Sequence, residues 1–539
     1  MSITSRRTFL RHMAAASSLG VAGPLGLNLS VITQAAAQSS GNSGYQALVC
    51  IFLYGGNDAF NTVLATDTES WQHYLNHRDP SARNSNDGSV PIALREAGVA
   101  ANQAASADSP DRLGGVLPIS HSGRAAHSGR SFALHPALRE TQNLYQSGQL
   151  AVVANVGPLL APMSKADWSN PLVNKPTKLF SHNDQQSMWQ AFAPEGASAG
   201  WAGRMGDLLM GGNGQGQGDD AYLIRRYFTC MTPANAAVWL SGRMVMPYQS
   251  SNTRVLTLGS NQRIYGSAEL QAAAASFLSA TERTDMLSQD HEQVAQRALR
   301  ASSLLATNLP APWLSPWGTP TPPNLYSVES DHLLRYRSPS TGALRSNSLA
   351  IQLQMVARLI ETNRTANLGM QRQFFMVSLG GFDTHDSQIR DHGERMAQLD
   401  HALKYFHDVL GSMPSGDMRS AVTTFTASDF GRTFTSNGDG TDHGWGAHHF
   451  VMGGAVRGGE VYGTFPLYST ANAQRVFGSP DQIDNGSLLP TTSVDQLAYT
   501  LGRWMGVSAY DLTQGGSYAI LPNLTRFNSS AHDLGFMRA

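Results

Sequence analysis

Cysteine, charge and long apolar runs are all scarce in these 539 residues. Two cysteines, Cys50 and Cys230, cannot build a disulfide framework. Cys50 lies in an apolar run and reads as a buried, inert thiol. Spacing alone leaves a Cys50–Cys230 bridge open. Only 14% of residues are charged and the formal net charge is −1, so no basic face for nucleic acid is expected. No run beyond the N-terminus is long and apolar enough to span a bilayer. Flavin, haem and dinucleotide fingerprints are missing as well, which ranks a redox role last. The length suits one large domain or two ordinary ones.

What is present begins with a targeting pattern. Ser5-Arg6-Arg7-Thr8-Phe9-Leu10-Arg11 resembles the twin-arginine export motif. A weakly apolar run from Met13 to about Ile32 follows, then an A-x-A site at Ala35-Ala36-Ala37. Residues 1–37 therefore read as a signal peptide. The twin-arginine translocase is the expected partner during export, and the periplasm or the exterior the destination. This segment carries Arg6, Arg7 and Arg11 and no acid, so its removal takes the formal charge from −1 to −4. Residues 38–539 are expected to form a single domain.

Gln46–Tyr54, Leu150–Val156, Phe374–Leu379, Ala421–Thr426 and Phe450–Val456 are short apolar runs that read as buried strands. Helical spacing lies between them, in Leu349, Leu353, Val356 and Ile360, and again in Met396, Leu399, Leu403, Phe406 and Leu410. Pro136–Gln146 and Val494–Met505 read as further helices, the second capped by Thr492 or Ser493. The alternation predicts an α/β fold with a mostly parallel sheet flanked by helices. Residues 201–345 are rich in Ala, Ser, Gln and Gly. One long helical stretch, Ser267–Thr307, and a proline cluster dominate them. They read as an α-rich insertion or cap. Arg78–Gly129 reads as a long surface loop.

Chemistry concentrates in four polar clusters. Asp58 follows the first strand, where open α/β sheets place ligands; an ordinary turn is the competing reading. Ser181, His182 and Asp184 open a helix, where Ser181 suits an N-cap and free amides suit an anion. Asp383 and His385 are two apart after an apolar strand and would project to one side of an extended segment. A carboxylate and an imidazole so placed suit Zn or Mn. Asp429 ends a strand. Arg432 beyond it matches oxyanions or else fixes the loop through a salt bridge. Asp442, His443, His448 and His449 then fall within eight positions.

GGNDAFN, SHNDQQ, GFDTHDSQ, SDFGRT and GTDHGWGAHHFVMGG together resemble the bacterial domain-of-unknown-function family 1501. That family is itself similar to the alkaline phosphatase and sulfatase superfamily. The resemblance implies a doubly wound α/β sheet and a divalent metal (Zn, Mn, Mg or Ca). Asp58, Asp383, His385, Asp429 and His443 match the metal-binding positions. Ser181 matches the nucleophile, with His182 beside it, and Arg432 or His448 would stabilise the oxyanion. Two departures stand out. Asp383-Thr384-His385 replaces the usual Asp-x-x-x-His, and Phe430 stands where a His is expected beside Asp429. The function so implied is metal-dependent hydrolysis of a small anionic phosphate or sulfate ester. A non-catalytic envelope module that keeps the hydrolase fold is the alternative.

Overall fold

The computed structural model describes residues 44–83, 88–122, 124–259, 263–278, 286–514 and 519–538. The twin-arginine segment lies outside them. Eleven strands and seven helices carry the description. The strands are β1 (Gln46–Tyr54), β2 (Leu150–Gly157), β3 (Cys230–Thr232), β4 (Tyr248–Gln249), β5 (Arg372–Gly380), β6 (Val422–Ser428), β7 (Arg432–Ser436), β8 (Thr441–His443), β9 (Ala447–Met452), β10 (Val461–Tyr462) and β11 (Thr492–Ser493). The helices are α1 (Thr68–Arg78), α2 (Arg139–Gln146), α3 (His182–Ala191), α4 (Trp201–Leu209), α5 (Ser348–Thr365), α6 (Gln388–Gly411) and α7 (Val494–Trp504).

Nine strands form one sheet in the order β10-β2-β9-β6-β1-β5-β3-β4, with β11 pairing β2. Every pairing in it is parallel except those of β9, which runs antiparallel to β6 and β2. β1 is central, in unbroken parallel register with β5 on one side and β6 on the other. Its continuous apolar run has a direct cause. Val49 and Ile51 face one core with Leu353 and Met396, while Leu48, Cys50 and Phe52 face another with Trp201 and Leu497. A strand covered on both faces has no polar side to show. Each such side chain contributes roughly 1.5–3 kcal/mol by burial. The result is a mixed, mostly parallel α/β sheet with helices on its two faces, as the alternation implied.

Several stretches differ from expectation. Residues 201–345 are not set apart from the sheet, because β3 and β4 extend it beside β5. Trp201, Met205 and Trp239 are core residues. The long helical stretch is two helices, Ala268–Leu278 and Met286–Asn308, with undescribed residues between them. The segment read as a surface loop holds a strand, Leu117–Ile119, and buries Arg78, Ile92, Ala93 and Leu94. Cys50 and Cys230 are separate free thiols, both buried, and burial pushes both pKa values well up.

Candidate functional site: a histidine and aspartate cluster

β1, β5 and β6 end side by side, and the loops leaving them carry Asp58, Asp383 and Asp429. Two glycines let these loops close. Gly55 has φ +115°, and a Cβ there would stand 2.4 Å from the Asp383 nitrogen. Gly56 has φ +88°, and its Cβ would stand 2.4 Å from the Phe430 ring. Neither position tolerates a side chain without rearrangement.

Asp383 is the centre. Its Oδ1 lies 3.1 Å from Nε2 of His385 and 3.1 Å from Nε2 of His443, and those two nitrogens are 3.1 Å apart. Its Oδ2 lies 3.5 Å from Nε2 of His182, at the start of α3. His182, Asp383 and His443 each offer a ligand atom within 4.8 Å of the others, the one such metal-type group among the described residues. The outer nitrogens are tied off. His443 Nδ1 is 2.7 Å from the Phe180 carbonyl, which only accepts, so Nδ1 carries the proton and Nε2 presents a lone pair inward. His182 Nδ1 donates to Asp429 Oδ2 at 2.7 Å, which turns its Nε2 inward too. His385 Nδ1 faces Asp442 Oδ1 at 3.4 Å. Imidazoles held this way by carbonyls and carboxylates are characteristic of metal sites. Zinc–nitrogen bonds of roughly 2.0–2.1 Å imply donor–donor edges of about 3.3 Å in a tetrahedron, close to those seen here.

The electrostatics follow from the contacts. Burial acts to raise the Asp383 pKa, but the Arg432 hydrogen bond and charge, with His385 and His443 behind them, bring it below the usual carboxylate range. The hydrogen bond to Asp429 raises the pKa of His182 against the effect of burial. Burial lowers that of His443; the Phe180 carbonyl opposes this, and the positive charges of Arg432 and His182 add to it. Phe430 is buried between the imidazoles, 4.9 Å from the His182 ring and 4.4 Å from the His443 ring. It forms an apolar wall where a further ligand was expected.

Of the remaining sequence candidates, Asp429 and Arg432 touch this cluster as supports of His182 and Asp383, and Asp58, Ser181 and His448 are not brought into it. Asp58 is fully buried and occupied: Arg78 pairs with both its oxygens, Gln388 donates to Oδ2 and the Phe60 amide to Oδ1. A carboxylate so saturated is a structural ion pair that fixes the β1 turn. Asp429 has turned from the centre toward His182 and Gln186. Ser181 Oγ donates to Asp184 at 3.0 Å rather than facing Asp383. Arg432 is fully buried and spends its donors on Asp383, Gly55 O and Thr441. That is the loop-fixing reading, and it leaves no open guanidinium edge for an oxyanion. His448 stacks on Phe465 at 4.4 Å and accepts from the Asn155 amide. Burial takes His448 and His449 down to about 3, so both are neutral in ordinary buffers. Arg78 and the Phe180 carbonyl carried no sequence signal. Phe180 adopts φ +73° and Lys178 φ +47°, strained values for non-glycine residues that cluster at functional sites.

Fold and site together define an α/β protein with a His/Asp cluster at the carboxyl ends of its central parallel strands. Residues 45–514 match the family described as "Protein of unknown function (DUF1501)", and the chain belongs to that family. No curated protein matches the chain.

Proposed function

We propose that this chain is a metal-dependent hydrolase of phosphate or sulfate esters, related to the alkaline phosphatase and sulfatase superfamily and exported to the periplasm or exterior through the twin-arginine translocase. The observation that carries the reading is the convergence of His182, His443 and His385 on Asp383, with their outer nitrogens facing an acceptor. Those residues would hold the ion. An imidazole-rich donor set favours Zn or Mn over Mg and Ca, which prefer oxygen. Bound there, a divalent ion would act as a Lewis acid toward an ester oxygen. The protein's own groups do the rest. Arg432 keeps Asp383 ionised, Asp429 orients His182, and Phe430 keeps water off one side. Ser181 is tied to Asp184, so the attacking group on this reading is water, which a bound ion would activate. The test is metal analysis of the purified protein, followed by turnover of aryl phosphates and sulfates. About one bound ion and measurable turnover are expected, both lost in His443→Ala. Metal-free protein that stays inactive with every divalent ion would overturn the reading.

One observation favours a second reading, a non-catalytic envelope module. Neither Arg432 nor Ser181 is free to act on a substrate. On that reading His443→Ala leaves partner binding intact. Asp58→Ala is a poor probe of either reading, since it strands Arg78 as an unpaired buried charge at a cost of about 3–5 kcal/mol.

A further inference from the structure

Beside the His/Asp cluster lies a cleft of about 440 Å³, lined by Thr435, Ser436, Asp442, Arg475, Phe477 and Asn485 among others. That volume falls within the roughly 300–1,000 Å³ of small-molecule sites. Asp442 joins the two features. It lines the cleft, and its Oδ1 lies 3.4 Å from Nδ1 of His385, whose Nε2 is 3.1 Å from Asp383. A single imidazole therefore separates the cleft from the carboxylate at the centre of the cluster.

The lining selects a ligand class. Arg475 sits at the tip of a tight turn whose stems, Ala471 and Phe477, pair with each other. Asn472 Oδ1 braces the turn by accepting from the Gln474 and Val476 amides. Arg475 is exposed and makes no ion pair among the described residues. Asn485 is likewise exposed, and its side-chain amide has no partner among them. Both residues adopt left-handed backbone, φ +61° and +51°, which Asn485 tolerates and Arg475 adopts only at a cost. Thr435 and Ser436 add hydroxyls already bonded to His77 and to Gly440 O, Phe477 is buried and adds little surface, and Asp442 adds an exposed carboxylate that accepts from the Asn437 amide. An acyl chain or a large apolar ligand would offer no partner to Arg475, Asn485 or the Asp442 carboxylate. A ligand with several hydroxyls and one negative charge would give the Asp442 carboxylate donors and Arg475 an acceptor.

We propose that the cleft binds an anionic saccharide unit, the organic end of the ester whose phosphate or sulfate group faces the His/Asp cluster. Its place as the substrate's organic end rests on the hydrolase reading; the cleft's affinity for such a saccharide does not.

Isothermal titration of the full chain, metal-loaded and chelator-treated, tests this with glucuronate, glucose and acetate as probes. Glucuronate is expected to bind both forms, with glucose and acetate each about tenfold weaker or worse, the loss expected when one charge-assisted contact or the whole ring is missing. Arg475→Asn, chosen because Asn tolerates left-handed backbone, is expected to weaken glucuronate by about tenfold without changing metal content. Asn485→Gly keeps the backbone conformation, removes the amide and is expected to weaken glucuronate by about threefold or more. No glucuronate binding, acetate binding as well as glucuronate, or both variants matching the parent overturns the proposal. If metal and ester turnover are present but glucuronate does not bind, only the cleft assignment falls. If glucuronate binds but metal and turnover are absent, only the hydrolase reading falls.

Discussion

Asp429 acts through His182. Its Oδ2 receives the His182 Nδ1 proton and the Gln186 amide, and its Oδ1 is buried with no partner among the described residues. Such an orienting carboxylate is worth about 10–100-fold in metal affinity. Asp429→Asn is therefore expected to weaken Zn or Mn binding by about that factor in a chelator-competition titration, with the fold unchanged by circular dichroism. Unchanged affinity would mean that Asp429 does not set the His182 ring. Gly56 makes the complementary point about sterics. With φ +88° and the Phe430 ring 2.4 Å from where its Cβ would be, Gly56→Ala is expected to be destabilising. The strain costs about 1–3 kcal/mol, and the clash adds to it. Adding Phe430→Leu removes ring atoms from that contact, so the double variant should lose less in urea denaturation than the two single losses combined, with a coupling of about 0.5–3 kcal/mol.

Elements were legible where local pattern decides them. β1 was read to the residue, and β2, β5 and β6 nearly so, because strands covered on both faces are apolar without interruption. The α7 cap was legible only as Thr492 or Ser493; the structure makes it Ser493, through a capping box in which Ser493 and Gln496 bond each other's backbone amides. β3 was missed, because three residues carry no usable periodicity. Arg78 was missed for a different reason: a buried cation in a polar stretch looks like surface until its partner, Asp58, is found 20 positions away. Asp383, His385 and His443 were named as metal positions in sequence, but His182 was placed beside the nucleophile instead, and which carboxylate faces the centre depends on contacts across the fold. Asp429 and His182 meet over 247 positions, and no local signal encodes that. The α7 terminus also carries a pH dependence. Asp495 is buried and its pKa is pushed up to about 7, mainly by burial, against hydrogen bonds from Asn523. The folded state thus holds a proton that the unfolded state releases near 4, so stability should fall as pH rises from about 4 to 7 and level off above. Asp495→Asn should flatten that slope, gaining about 2–4 kcal/mol of stability over the parent at pH 8 relative to pH 5 in urea denaturation. Parallel pH profiles for parent and variant would show that Asp495 ionises freely.

At the scale of the whole molecule, the cluster gathers distant parts of the chain. His182 comes from α3, Asp383 and His385 from the loop after β5, and His443 from β8. Unfolding scatters these segments, so an ion held by all of them binds the folded state and not the unfolded one. Linkage then fixes the size of the effect. At a free ion concentration about 100 times its Kd, the folded state gains about 2.7 kcal/mol. Unfolding entropy of roughly 2.1 cal/mol/K per residue gives about 1 kcal/mol/K for a chain of this size, so the melting temperature should rise by about 3 °C. Each further tenfold of ion should add about 1.4 kcal/mol, a rise that continues with concentration. His443→Ala should abolish the shift, and Asp429→Asn should move its onset to about 10–100-fold higher ion concentration. Surface histidines that bind weakly would give the same shift in parent and variant. The dependence on His443 therefore separates a built centre from adventitious binding, and it does so without knowledge of the substrate.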